Sequence, residues 1–143
     1  MIPAHLVWRV CVALLAVSTV TAAEDPALRK AAERFYAVYR ASAPSGVPEG
    51  KALDAYRPVM SASLVALLER AGAAERAYAD KTSHESPPLL EGDAFSSTFE
   101  GASEAQVQSC SAAATTGSCR IELVYRDEDG GKPIQWTDTA FLV

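Results

Sequence analysis

The chain lacks the sequence features that mark several large functional classes. Its 13 Lys and Arg residues are outnumbered by 18 Asp and Glu residues, which gives a formal net charge of -5. The basic residues form no cluster of the kind that binds nucleic acid, so we expect no nucleic-acid partner. Neither a glycine-rich phosphate loop nor a G-x-S-x-G nucleophile motif is present, and no segment repeats. The 49% hydrophobic and 22% charged residues are typical of a globular domain.

Cysteine and histidine are also scarce, with three and two residues respectively. There is no C-x-x-C pair, which argues against a thioredoxin-like redox site and against a zinc knuckle. His84 is the only histidine after residue 23. A site with two or three histidine ligands therefore cannot form within residues 24–143, and a Ser-His-Asp triad would have to use His84. We predict no metal and no other cofactor.

Residues 1–23 have the pattern of a secretory signal peptide. Arg9 precedes an apolar run over residues 10–17, and small residues follow up to Ala22 and Ala23. The run is shorter than the roughly 20 apolar residues that a membrane span needs, and no lipid-anchor motif surrounds Cys11. An N-terminal buried helix is the alternative. We predict cleavage after Ala22 or Ala23, a periplasmic or secreted mature chain of residues 24–143, and no stable membrane anchor after cleavage.

Cleavage would leave Cys110 and Cys119 as the only cysteines of an exported chain. An even number of cysteines in an oxidising compartment favours a disulfide. Closing this short loop would stabilise the fold by about 2.5–3 kcal/mol through the entropy of the unfolded chain. A reactive thiol pair is the alternative.

The disulfide raises a problem of strand register. If Cys110 lies directly opposite Cys119, a regular antiparallel ladder places Gln108 opposite Ile121. The next residue of the strand on that same face is also a glutamine, so two polar side chains would lie on the apolar face of the sheet. We therefore expect a bulge, a diagonal bridge or a poorly paired strand over 104–110.

The pattern of residues predicts helices first and strands afterwards. Asp25-Pro26 and Ser61 are good helix starts, and apolar spacing of three and four residues follows each of them. Alternating residues then indicate strands. The predicted helices cover 26–41, 51–57 and 62–80, and the predicted strands cover 95–99, 104–110, 119–126 and 133–143. This order is that of an α+β fold, with residues 24–143 as one domain.

The last predicted strand ends in the apolar run 139–143. Either it is a central strand that closes the sheet, or the sheet lacks a final hairpin partner. An unpaired apolar edge would favour aggregation.

Three motifs resemble those of a bacterial family of secreted proteins that is known only as a domain of unknown function. They are F-Y-x-x-Y at 35–39, E-G-D-x-F at 91–95 and W-T-D-T at 136–139. The family is similar to the cone-shaped, cystatin-like and nuclear-transport-factor-2-like folds. The resemblance implies N-terminal helices packed on a curved antiparallel sheet around a pocket. Family members continue past W-T-D-T into another strand, so the resemblance also implies that this chain lacks a final strand.

Two acidic residues are candidates for a binding site. Asp93 and Glu91 are two residues apart in an extended segment, where paired carboxylates could bind a cation or transfer protons; alternatively, Asp93 caps a turn. Asp138 lies inside a predicted strand, where acids are uncommon. Its apolar alternation partners favour an inward side chain, and a desolvated carboxylate is a mark of functional sites. A structural hydrogen bond and a solvated charge are the alternatives.

We interpret the sequence as a non-enzymatic domain that binds a small molecule or a protein partner, with no catalytic residue assigned. Asp93, Trp136 and Asp138 are the predicted ligand-binding residues, and Tyr39 is a predicted lining residue, although aromatic residues at such spacings also form cores. A secreted inhibitor or immunity-type protein that blocks a cell-wall enzyme is the alternative. A small hydrolase or isomerase is a third class, supported by the carboxylates alone. The sequence leaves the oligomeric state open.

Overall fold

The computed structural model describes residues 24–113, 115–127 and 129–143, so the predicted signal peptide lies outside the described residues. Three helices precede three strands, and the strands form one antiparallel sheet in the order β1-β2-β3. The helices pack on the sheet, which confirms the predicted α+β class. The elements are α1 (Pro26–Ser42), α2 (Gly50–Tyr56), a 3-10 turn (Arg57–Val59), α3 (Ala62–Lys81), β1 (Glu104–Ala112), β2 (Gly117–Tyr125) and β3 (Ile134–Leu142).

The helix starts are those that the sequence predicts. The Asp25 carboxylate accepts hydrogen bonds from the backbone N–H groups of Ala27 and Leu28, at 2.8 and 3.3 Å. The Ser61 hydroxyl accepts one from the N–H of Leu64 at 3.3 Å. Each cap gives a partner to backbone donors that a helix cannot pair internally.

Helix α1 and the inner face of the sheet form the main core. Ala32, Tyr36 and Tyr39 of α1 are buried, and they pack against buried residues of β1 and β2. The sheet contributes Val107, Cys110, Cys119, Ile121 and Leu123. The longer helix α3 packs mainly against α2, and Val65 and Leu68 are its buried apolar residues.

A bulge in β1 solves the register problem. Cys110 lies opposite Cys119, and the register shifts between Val107 and Ser109, so that Val107 rather than Gln108 lies opposite Ile121. The extra residue moves an apolar side chain onto the buried face and leaves the glutamine outside. Of the three predicted outcomes, the bulge is the one observed.

The structure confirms the disulfide between Cys110 and Cys119. Both cysteines are buried, with 4% and 0% of their surfaces exposed. The bridge joins β1 to β2 on the face that packs against α1.

The predicted strand over 95–99 is wrong, because residues 93–101 form a loop of successive turns, here the 93–101 loop. The Asp93 carboxylate accepts a hydrogen bond from the N–H of Phe95 at 2.6 Å, which bends the chain at once. The N–H of Asp93 also donates to the carbonyl of Phe99 at 3.1 Å. These bonds bring the two ends of the segment together, so it cannot extend.

Candidate functional site

A cleft of about 660 Å³ lies between α1 and β3. Its walls are residues 31–36 of α1 apart from Glu33, the segment 58–61, residues 94–97 of the 93–101 loop, and the chain from 138 to 143. Leu64 of α3 completes the lining. We call this space the α1–β3 cleft.

Asp138 lines this cleft from the inner face of the sheet. It lies opposite the fully buried Ile121, so the predicted inward orientation is correct, and its side chain is half-buried. The carboxylate accepts hydrogen bonds from the N–H and hydroxyl of Ser97, at 3.0 and 2.5 Å. Asp138 therefore fastens the 93–101 loop to β3 at one wall of the cleft.

Trp136 lies beside Asp138 and supports it. Its indole Nε1–H donates to the Asp138 carboxylate at 3.3 Å, and its position opposite Leu123 places it on the same face of the sheet. Trp136 is half-buried against the core and is not one of the residues that line the cleft. The structure thus brings these two predicted site residues together: Asp138 lines the cleft, and Trp136 contacts Asp138 from outside the cleft lining.

Tyr39 and Asp93 form a separate buried pair. The Tyr39 hydroxyl donates to the Asp93 carboxylate and accepts a hydrogen bond from the N–H of Ala102 at 2.7 Å. Only 1% of Tyr39 and 9% of Asp93 are exposed. Burial and the hydrogen bond to Asp93 raise the pKa of Tyr39 well above its ordinary value. Neither residue lines the cleft.

The environment of Asp93 matches the alternative of a turn-capping acid. Glu91 is exposed whereas Asp93 is buried, so the two carboxylates do not face a common ligand position. The Asp93 carboxylate ties the start of the 93–101 loop to α1 and packs so closely against Gly101, at φ 74°, that a Cβ there would collide with it.

Tyr36 lines the cleft although it is not among the predicted site residues; its sequence spacing is also that of core aromatics. Only 5% of it is exposed, it lines the α1–β3 cleft, and its hydroxyl makes no hydrogen bond among the described residues. Burial, followed by the charges of Asp138 and Asp93, raises the pKa of Tyr36 to about 12. The hydroxyl therefore stays protonated and can donate a hydrogen bond. The F-Y-x-x-Y motif contains Tyr36, but Phe35 and Tyr39, which are four residues apart, lie on a helical stripe that does not include it.

Other sites find little support in the described part of the chain. The side chain of His84 is 75% exposed and lies outside the cleft. No group of three or more His, Cys, Asp or Glu side chains there could hold a metal ion. Among the described helices, none combines the length and apolar character of a membrane span. In comparisons with known proteins, no family model, no curated protein and no solved structure matches this chain.

Proposed function

We propose that this chain is an exported, non-enzymatic domain that binds a small molecule in the α1–β3 cleft. The observation that carries the proposal is Tyr36, a buried residue that lines the cleft and whose hydroxyl makes no hydrogen bond to another described residue. No buried side-chain nitrogen or oxygen of the described residues lacks a hydrogen-bond partner, so this hydroxyl reaches the open space of the cleft. A ligand there can accept a hydrogen bond from it, which contributes about 0.5–1.5 kcal/mol.

The size and lining of the cleft support the same function. Its volume of about 660 Å³ falls within the roughly 300–1,000 Å³ of typical small-molecule sites. Phe35, Met60, Phe95 and Leu142 provide apolar surface, and Asp138 is a convergent polar group. A mostly apolar wall with few polar groups is the usual composition of a ligand site.

The walls are held in place before any ligand binds. Phe95 packs against Phe35 and Tyr56, with ring centroids 5.5 and 4.9 Å apart. The bonds from Ser97 to Asp138 hold the same loop from the other side. Such preorganisation lowers the entropy cost of binding.

A binding role fits the cleft better than catalysis. Asp138 already accepts hydrogen bonds from three neutral donors, which position it but do not pair it with a second acid or base. No His, Cys or Lys is among the described residues that line the cleft. General acid–base and nucleophilic catalysis commonly use such a partner.

Export is part of the proposal. A buried disulfide between Cys110 and Cys119 is typical of proteins in oxidising compartments. Together with the signal-peptide pattern of residues 1–23 and the resemblance to a secreted bacterial family, it supports a periplasmic or secreted location.

Ligand binding can be tested by fluorescence, because Trp136 is the only tryptophan in residues 24–143. We expect a ligand in the cleft to change the emission of Trp136 through Asp138, which it contacts. Tyr36→Phe should weaken binding about fivefold to tenfold, the loss of one hydrogen bond. Tyr78→Phe, on α3 and outside the lining, is the matched control. A small-molecule library that yields no binder, or binders indifferent to Tyr36→Phe, would contradict the proposal.

An inhibitor-type, protein-binding role is the second candidate, and the contrast between the two outer strands favours it. The bulged edge of β1 is covered by Arg29, whose guanidinium donates to the carbonyls of Val107 and Gln108 at 2.8 and 3.0 Å. By contrast, β3 pairs with β2 in an unbroken register, has no further neighbour in the described sheet, and exposes 81% of Phe141. A partner could add a strand there.

This second candidate predicts that a cell-wall enzyme binds along β3. Thr137→Lys, on the exposed face of β3 and outside the cleft lining, should abolish the complex and leave the unfolding free energy within about 0.5 kcal/mol. Thr116→Lys, outside the edge strand, is the control. Inhibition of the enzyme that survives Thr137→Lys would exclude β3 as the contact.

A further inference from the structure

The charge of Asp138 has no cationic partner among the described residues. Its three donors, two from Ser97 and one from Trp136, are all neutral, and it takes part in none of the ion pairs of the described chain. One oxygen accepts two of these bonds and the other accepts one. Since a carboxylate has about four acceptor positions, one remains on the oxygen that binds the Ser97 hydroxyl.

The hydroxyl of Tyr36 is a second polar group available to a ligand in the same cleft. Tyr36 is 95% buried and lines the cleft with Asp138. Its hydroxyl makes no described hydrogen bond and is not a buried unsatisfied atom, so it is accessible from the cleft. Burial is the main cause of the raised pKa of Tyr36, and the charges of Asp138 and Asp93 raise it further, as expected beside two carboxylates. A ligand group beside Tyr36 and Asp138 therefore meets one neutral donor and one negative acceptor.

Among the described residues that line the cleft, Arg34 is the only other one with a charged side chain. It is exposed, on the opposite wall, where solvent and salt weaken its field. Asp138 is half-buried, and its charge is therefore the less screened of the two.

From this arrangement we infer that the α1–β3 cleft selects molecules with an apolar body and a positively charged amine, and that it discriminates against carboxylates. The ammonium group donates to the free acceptor position of Asp138, and the apolar body packs on Phe35 and Phe95. A neutral oxygen elsewhere on the molecule would accept from Tyr36. The inference rests on the ligand-binding function proposed above and names the chemical class of its ligand.

Three matched probes test the charge preference. They are 2-phenylethylamine, 2-phenylethanol and 3-phenylpropanoate, which share a phenyl ring and differ in charge. Each is titrated into residues 24–143, with emission of Trp136 excited at about 295 nm and with calorimetry. We expect the amine to bind about tenfold more tightly than the alcohol, as for a charge-assisted hydrogen bond, and the propanoate to bind more weakly than both. The preference for the amine should shrink in about 1 M salt.

Variants separate the charge of Asp138 from its structural role. Asp138→Asn keeps an oxygen for Ser97 and should lower the affinity for the amine about tenfold while leaving that for the alcohol unchanged. Ser97→Ala removes one fastening bond but keeps the charge, so the preference for the amine should persist. Glu91→Gln, an exposed acid outside the lining, is the control for net charge and should change nothing.

The outcomes distinguish the inference from the function on which it rests. Two results would show that the charge preference is wrong while the cleft remains a ligand site. In the first, the alcohol binds and the amine binds no better. In the second, the propanoate binds best and loses this advantage in Arg34→Gln. If none of the three probes binds at about 10 mM, both the preference and the proposed ligand site are contradicted. An amine preference that survives Asp138→Asn would also overturn the inference.

Discussion

Tyr39 and Tyr36 are buried tyrosines in the same helix, and comparing them tests how much each hydroxyl group contributes to the free energy of unfolding. The Tyr39 hydroxyl bonds to the Asp93 carboxylate and to the N–H of Ala102, whereas the Tyr36 hydroxyl makes no described hydrogen bond. A hydrogen bond to a charged group contributes about 1.5–3 kcal/mol, and a buried N–H that loses its partner costs about 1 kcal/mol or more. We therefore expect Tyr39→Phe to lower the free energy of unfolding by about 3 kcal/mol.

Tyr36→Phe is the matched control. The Tyr36 hydroxyl makes no described hydrogen bond and is accessible from the cleft. Its removal breaks no contact within the described structure, so the free energy of unfolding should change by less than about 0.5 kcal/mol. Both variants keep the ring and its packing. Urea unfolding of residues 24–143, followed by Trp136 emission and far-ultraviolet circular dichroism, measures the difference.

A double-mutant cycle completes this test. Combining Tyr39→Phe with Asp93→Asn should show a coupling of about 1 kcal/mol or more, because each variant removes part of the same interaction. Equal losses in the two tyrosine variants, or additive effects in the cycle, would refute the assignment of Tyr39 as the structural residue and Tyr36 as the unsatisfied one.

Three further predictions concern pH, the disulfide and the bulge. Burial raises the pKa values of three tyrosines, Tyr36, Tyr39 and Tyr56. Because these tyrosines lose their protons at lower pH in the unfolded chain than in the folded one, the free energy of unfolding should be constant below pH 10 and fall towards pH 12. In Tyr36→Phe, this fall should be smaller by about 1.4 kcal/mol per pH unit. An unchanged slope in urea titrations would contradict this. Replacing both cysteines of the disulfide by serine should lower the free energy of unfolding by about 2.5–3 kcal/mol, and a loss below about 1 kcal/mol in urea would argue against the chain-entropy account. Deleting Gln108 should keep the disulfide and lower the free energy of unfolding by less than about 1 kcal/mol, since it turns the bulge into a regular ladder. Deleting Gln106 instead should lower it several times more, because the acidic residue at 104 then turns towards the core. Equal losses of stability in the two deletions would show that the bulge is needed.

Local signals made the helices predictable. Asp25 and Ser61 are caps whose bonds reach only two or three residues along the chain, so the sequence carries both partners within one turn. The short helix was predicted to cover residues 51–57; α2 ends at Tyr56, and a 3-10 turn continues through Pro58 to Val59. Proline is tolerated there because the first turn of a helix leaves its N–H groups unpaired.

The bulge was predictable because two constraints conflicted. A disulfide fixed one point of the ladder between β1 and β2, and the positions of the apolar residues fixed another. An extra residue satisfies both, and it lies at Gln108; the sequence did not decide between this bulge, a diagonal bridge and a poorly paired strand. The same alternation argument placed Asp138 on the inner face, where the structure has it opposite Ile121.

The 93–101 loop was not predictable from alternation. Phe95, Ser97 and Phe99 have the period of a strand, but their environments differ: Phe95 packs between aromatic rings, Ser97 bonds to a residue 41 positions away, and Phe99 is 63% exposed. A period of two predicts a shared face only when the backbone is extended. Here the side chain of Asp93 supplies the backbone with a competing hydrogen bond.

The predicted site residues were chosen because acids and aromatics in unusual positions mark function, and the same features also mark strong structural bonds. Asp93 fastens the start of the 93–101 loop to Tyr39 on α1, and Asp138 fastens Ser97 in the same loop to β3. Two carboxylates thus hold one wall of the cleft from opposite sides. Asp93 is committed to the fold, Asp138 has one acceptor position left, and the Tyr36 hydroxyl makes no hydrogen bond to another described residue. The residue whose bonding is incomplete is the one to which a ligand can add most, so the search for function in this fold starts at Tyr36 and extends to the free oxygen position of Asp138.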